Sequence, residues 1–207
     1  MESLVQKPRQ LNTLDEPAWD IAYLFPRQGK WTVAAYLDLE GQNNRHIEYS
    51  FGRIEILPRP TTSHQIFLQN LYRQLVDYIS RHLKGALLLV APHPVRLSAE
   101  QFFEPDIFLL LPEHLDRSQE QFTDSPDLVV EVVSPGNRNH DLVTKRAAYA
   151  EAGIPEYWIV DPQAKIIVVL ALSNGQYSEH GVFPLGSIAS SKLLPGFVIS
   201  VDEIWRR

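Results

Sequence analysis

Two apolar runs in this chain carry carboxylates where a covered strand tolerates none. The first leads from Glu104-Pro105-Asp106 into Ile107-Phe108-Leu109-Leu110; the second is Leu128-Val129-Val130-Glu131-Val132-Val133. Near-continuous Val, Ile, Leu and Phe over a strand's length marks a strand buried on both faces of a sheet. An ionised carboxylate in such a layer costs several kcal/mol unless a cation or hydrogen bonds compensate it. Because side chains alternate along a strand, Asp106 shares a face with Phe108 and Leu110, and Glu131 shares one with Val129 and Val133. If the two strands pair, their oxygens can share one hard divalent cation. The alternative is that one or both lie at a strand end and face solvent or an Arg.

The 207 residues suit one domain with a substantial core. Cysteine is absent, which removes disulfides, thiolate metal sites and a Cys nucleophile. No apolar run approaches the roughly 20 residues that span a bilayer, and the opening MESLVQKPRQ lacks the apolar core of a signal peptide. The expectation is a cytoplasmic protein with no membrane association. A formal net charge of −6 argues against a broad basic face for nucleic acid. It leaves room for a local basic groove, or for a substrate held through a metal ion.

Residues 1 to about 30, with Pro8, Pro17 and Pro26, read as an N-terminal arm, and residues 31–207 as a single domain. Thr32 can cap a short helix. After the polar stretch Gly41-Gln42-Asn43-Asn44-Arg45, the segments Ile47-Glu48-Tyr49 and Ile54-Glu55-Ile56-Leu57 form a hairpin turning at Gly52. Thr62 and Gln65 fit a capping box for a long helix, whose apolar residues recur from Phe67 to Leu83 before Gly85. Strands follow at Leu87–Val90 and Val95–Leu97, then at Asp106, with a polar loop from Pro112 to Pro126. The Glu131 strand ends at Ser134-Pro135-Gly136-Asn137, and a helix covers roughly 141–152. Further strands take in Glu156–Asp161 and Lys165–Leu170, Asn174-Gly175 makes a turn, and the chain ends in a strand or short helix near Trp205. The fold class is α/β (α+β): a mixed sheet flanked by helices.

Lys145 stands four residues after Asp141, the spacing of a surface ion pair. At about 100° per residue it also falls at the edge of the buried arc, near Leu142 and Tyr149, from which a lysine can reach over the end of the Glu131 strand. Arg146 lies further into that arc and competes for the role or snorkels. Glu48 can supply a third carboxylate or be an exposed hairpin residue. His64, in the first turn of the long helix, is a capping residue or a catalytic one. No phosphate-binding glycine loop, H-E-x-x-H pair or nucleophile elbow is present.

These residues, in this order, resemble the Uma2-like family, a group of restriction-endonuclease-like proteins common in cyanobacteria. The resemblance spans residues 31 to about 170. It runs through Ile47-Glu48-Tyr49, Ser63-His64 and Glu104-Pro105-Asp106, and is strongest over Asp127 to Pro135, Asp141-Leu142-Val143-Thr144-Lys145, Tyr149, and Gly153 to Asp161. It implies a PD-(D/E)xK nuclease fold and metal-dependent hydrolysis of phosphodiester bonds, with DNA as the substrate. Pro105-Asp106 would supply the PD, Glu131 the E and Lys145 the lysine. Asp106 and Glu131 would hold Mg²⁺ or Mn²⁺, Lys145 would orient the attacking water, and Glu48 would complete the metal shell or act as a base. The wider superfamily places a lysine two positions after the glutamate, where this chain has Val133. A catalytically silent nuclease-like binding or assembly domain is the competing reading. Cutting both strands of a duplex favours a homodimer.

Overall fold

The computed structural model describes residues 25–42, 45–134 and 138–206. Most of the N-terminal arm, residues 1–24, lies outside it, as do Asn43, Asn44, Pro135, Gly136, Asn137 and Arg207. Helix α1 (Val33–Glu40) is capped by Thr32, whose Oγ1 accepts the Ala35 N–H, as expected from sequence. Strands β1 (Ile47–Ser50) and β2 (Arg53–Ile56) form the expected hairpin. Its turn places both Phe51 and Gly52 at positive φ, a conformation that Gly adopts freely. A Cβ at Gly52 would also stand 3.1 Å from the Gly29 carbonyl carbon and oxygen.

The long helix α2 (Thr62–His82) buries Leu71 and Leu75. Its cap is Thr61, one residue earlier than the capping-box reading, and the Thr61 Oγ1 accepts the His64 N–H. Adjacent threonines offer equivalent hydroxyls, so local sequence cannot choose between them. Strands β3 (Leu87–Val90), β4 (Val95–Ser98), β5 (Gln101–Phe103) and β6 (Ile107–Leu110) follow. The expected loop before Pro126 holds a 3-10 turn at Pro112–Arg117 and a two-residue strand β7 (Thr123–Asp124). Asp127 anchors that segment, accepting from the Leu111 N–H and pairing with His114.

Beyond β8 (Leu128–Val132) the chain enters a π-helical turn, His140–Lys145, before α3 (Arg146–Glu151). The remainder is β9 (Glu156–Asp161), β10 (Ile166–Ser173), β11 (Gln176–Pro184), β12 (Ile188–Ser190), β13 (Val198–Ser200) and α4 (Val201–Trp205). The C-terminal segment is thus both a strand and a helix.

Six strands form the central sheet, in the order β11-β10-β9-β8-β6-β3, with β8 and β9 parallel. A second sheet runs β2-β1-β5-β4-β7, and β12 pairs with β13. On one face of the central sheet Ile107, Leu109, Val130 and Val132 pack with Leu71, Leu75 and Ile204. On the other, Phe108, Val129 and Val133 meet Phe103, Tyr149 and Tyr157. Each such side chain contributes about 1.5–3 kcal/mol by leaving water. Both faces of β6 and β8 are therefore covered, as the apolar runs require, and the fold is the expected mixed α+β arrangement. Among the described residues no helix is long and apolar enough to cross a membrane.

Candidate functional site

The antiparallel register of β6 and β8 pairs Ile107 with Val130 and Phe108 with Val129. Continued by one residue, it sets Asp106 opposite Glu131, on the face lined by Phe108, Val129 and Val133. Asp106 immediately precedes β6 and is partly exposed, whereas Glu131 lies within β8 and is only 4% exposed. The strand-end alternative thus describes the position of Asp106, while Glu131 is buried and opens only onto a cavity.

Each carboxylate is held by one oxygen. Asp106 Oδ2 accepts the Val132 N–H at 2.7 Å and lies 3.2 Å from His64 Nε2. Glu131 Oε1 accepts from Lys145 Nζ at 2.8 Å and from the Tyr149 hydroxyl at 2.6 Å. Asp106 Oδ1 and Glu131 Oε2 take no hydrogen bond among the described residues.

Lys145 is 3% exposed, so it belongs to the buried interior, not to a surface ion pair. Its Nζ lies 2.8 Å from Glu131, 3.0 Å from Glu48 Oε1 and 3.8 Å from Asp141 Oδ1. Burial opposes its charge, yet Glu131 and Glu48 outweigh burial and raise its pKa well above the ordinary lysine range. Both carboxylates therefore favour the ammonium form of Lys145. Burial raises the Glu131 carboxyl, reinforced by Asp106 and Asp141 and opposed by Lys145. Asp141 is pushed up to about 6 by burial, with Lys145 opposing the shift.

Glu48 is 2% exposed and sits behind Lys145 in the hairpin. Its Oε2 meets His140 Nε2 at 2.9 Å. Burial would raise Glu48, but Lys145 and His140 prevail and lower it. For His64, burial is overcome by Asp106, and the imidazole pKa is raised. Arg146 points elsewhere and donates to the Tyr177 carbonyl at 3.4 Å.

Asp106, Glu131 and Lys145 open onto a cavity of about 750 Å³, which His46, His64, Glu104, Arg138 and Asp161 also line. Glu48 is not part of its wall. The structure thus joins Glu131, Lys145 and Glu48 by direct ion pairs, sets the His64–Asp106 pair beside them on the same cavity, and leaves Arg146 outside. Sequence reasoning missed His140 and Tyr149 as members. Tyr149 had a signal, its i+4 spacing from Lys145; His140 had none, because it preceded the expected helix.

Among the described residues no group of three or more His, Asp or Glu is arranged to hold a metal ion. The chemistry of the donor set still fits one: two hard carboxylates with a free oxygen each suit a hard divalent cation.

The crystal structure described as that of "a putative nuclease belonging to DUF820 from Anabaena variabilis" superposes with a TM-score of 0.65. The match covers 82% of this chain and 96% of that one at 16% identity, a likeness of fold. A search of curated proteins finds no match. Residues 33–202 match the family Uma2, described as "Putative restriction endonuclease". That span takes in the whole network from Glu48 to Tyr149, and the chain belongs to the Uma2 family.

Proposed function

We propose that this protein is a metal-dependent endonuclease that hydrolyses phosphodiester bonds in DNA. The observation that supports this reading is the meeting of Asp106 and Glu131 across β6 and β8, beside the Lys145 ammonium and open to a cavity. Asp106 and Glu131 would hold Mg²⁺ or Mn²⁺; when bound, such an ion lowers the pKa of a coordinated water and offsets phosphoryl charge.

The chain's own residues prepare this site. The Val132 N–H and His64 fix Asp106 by one oxygen, while Tyr149 and Lys145 fix Glu131 by one, so each presents its other oxygen. Lys145, on the cavity wall, has one N–H left after Glu131 and Glu48, and would donate it to a non-bridging phosphate oxygen or to the attacking water. Glu48 has both oxygens engaged, by Lys145 and His140, and acts as a positioning residue that holds the ammonium in place. The lysine that the wider superfamily carries on the strand is supplied here from the π-helical turn, and Val133 packs into the core instead.

A second reading, a silent nuclease-like binding or assembly domain, draws on Val133 and on the net charge of −6. The deciding experiment is cleavage of supercoiled plasmid with Mg²⁺ or Mn²⁺ by wild type, Asp106→Ala, Glu131→Ala and Lys145→Ala. Nicking that needs metal and disappears in all three variants supports the nuclease. Absent cleavage, or equal cleavage by all four proteins, refutes it.

A further inference from the structure

We infer that the cavity beside Asp106 and Glu131 receives an unstacked nucleobase, so that the substrate is a nucleic-acid strand with an unpaired nucleotide at the scissile phosphate. This deepens the nuclease reading above and rests on it for the position of the scissile bond. The cavity's 750 Å³ lies in the range of sites that enclose a small molecule, roughly 300–1,000 Å³. A continuous duplex cannot enter such a space; a single base can, once it leaves its stack.

The lining has the chemistry of a base site. Helix α2 sets His64, Leu68 and Tyr72 at i, i+4 and i+8, one line along the helix that starts at Asp106 and runs away from it. Phe67 flanks that line and Val90 of β3 also faces the cavity. Phe67, Leu68 and Tyr72 are half-buried, and Phe67 is braced by Trp205 at a ring separation of 5.5 Å. A braced aromatic and aliphatic wall gives any base a stacking surface without reading its sequence. The carboxylates therefore stand at one end of the cavity and an apolar wall extends from them.

Charge points the same way. With −6 overall, the chain is not built around the broad basic face that long phosphate tracks of a duplex call for. The cavity wall carries Arg59, Arg138 and Lys145 among five carboxylates, Glu104, Asp106, Glu131, Asp141 and Asp161, enough cations for the phosphates of one nucleotide and too few for a duplex track. Arg138 also pairs with Asp161, yet its side chain stays 39% exposed.

The test measures fluorescence anisotropy in EDTA with a labelled DNA single strand, the same sequence as RNA, and the blunt DNA duplex. Wild type, Phe67→Ala and Val90→Glu are compared; Val90 is 40% exposed on the edge strand β3, so its substitution leaves the core intact. Thermal melting checks that Phe67→Ala is folded. The inference expects a single strand to bind at least about tenfold tighter than the duplex, and each variant to lose about tenfold, the effect of one stacked base. DNA and RNA strands tell which sugar the site prefers. Duplex binding as strong as single-strand binding, or folded variants that bind like wild type, overturns the base pocket. The same substrates with Mg²⁺ separate the two ideas: a duplex cut as readily as a strand removes the pocket and leaves the nuclease. Failure to cut any substrate removes the nuclease, while the anisotropy still judges the pocket.

Discussion

Replacing Lys145 by Met removes the ammonium between Glu131 and Glu48 and leaves two enclosed carboxylates facing a thioether. Breaking a buried pair by removing one partner costs about 3–5 kcal/mol, because the other charge remains uncompensated. Two effects limit the loss here: His140 still pairs with Glu48, and the Tyr149 hydroxyl still donates to Glu131. A loss of about 3 kcal/mol corresponds to a fall in Tm of roughly 6–12 °C for a chain of this size. Chemical and thermal unfolding of wild type, Lys145→Met, Glu131→Gln and the double variant provide a full cycle. Glu131→Gln added to Lys145→Met should restore part of the loss, with a coupling above about 1 kcal/mol. Unfolding of Lys145→Met within about 0.5 kcal/mol of wild type, or strictly additive variants, would show that the ammonium is not the buried counter-ion of Glu131.

Three further outcomes follow from the same geometry. Glu48→Gln keeps an acceptor for Lys145 but loses the charge that holds His140; a stability loss of about 1–3 kcal/mol and reduced plasmid cleavage are expected, read by urea unfolding and gel assay. Arg146→Ala removes only a donor to the Tyr177 carbonyl and should leave cleavage unchanged, with stability altered by about 1 kcal/mol or less. Asp161 is buried, which raises its carboxyl pKa, but Arg138 and the Gln163 and Ala164 N–H groups prevail and lower it. Its contribution to stability is therefore complete above the ordinary Asp value of about 3.9 and fades as pH falls through the depressed one. Asp161→Asn should weaken the acid dependence of Tm below pH ~4, and an unchanged profile would refute that pairing.

The architecture was readable wherever burial leaves a period-two or period-3.6 trace. The apolar runs at Ile107–Leu110 and Leu128–Val132 are strands, and the Phe67-to-Leu83 pattern is helix α2. Alternation gave Asp106 and Glu131 each a face within its own strand; that the two faces coincide follows only from the β6–β8 register. Shorter pieces escaped because they carry too few residues for a period: β7 has two and β12 three. Alpha-helical spacing puts Lys145 only at the edge of the buried arc. The segment His140–Lys145 is a π-helical turn, a variant often found at functional sites, and its wider spacing shifts each side chain from the 100° pattern. His140 stayed out of view because it precedes the helix expected over 141–152. Glu104 was noticed as part of an apolar run, yet its task, accepting the Ile47 N–H from the hairpin, needs strand pairing across 57 residues that no local pattern records.

The central claim is that Asp106 and Glu131 form one cation site next to Lys145. Calorimetric titration of Mn²⁺ into wild type, Asp106→Asn and Glu131→Gln tests it without relying on a substrate. The claim predicts a single saturable binding event in the wild type that is lost in both variants. No binding by the wild type, or undiminished binding by both variants, would contradict it.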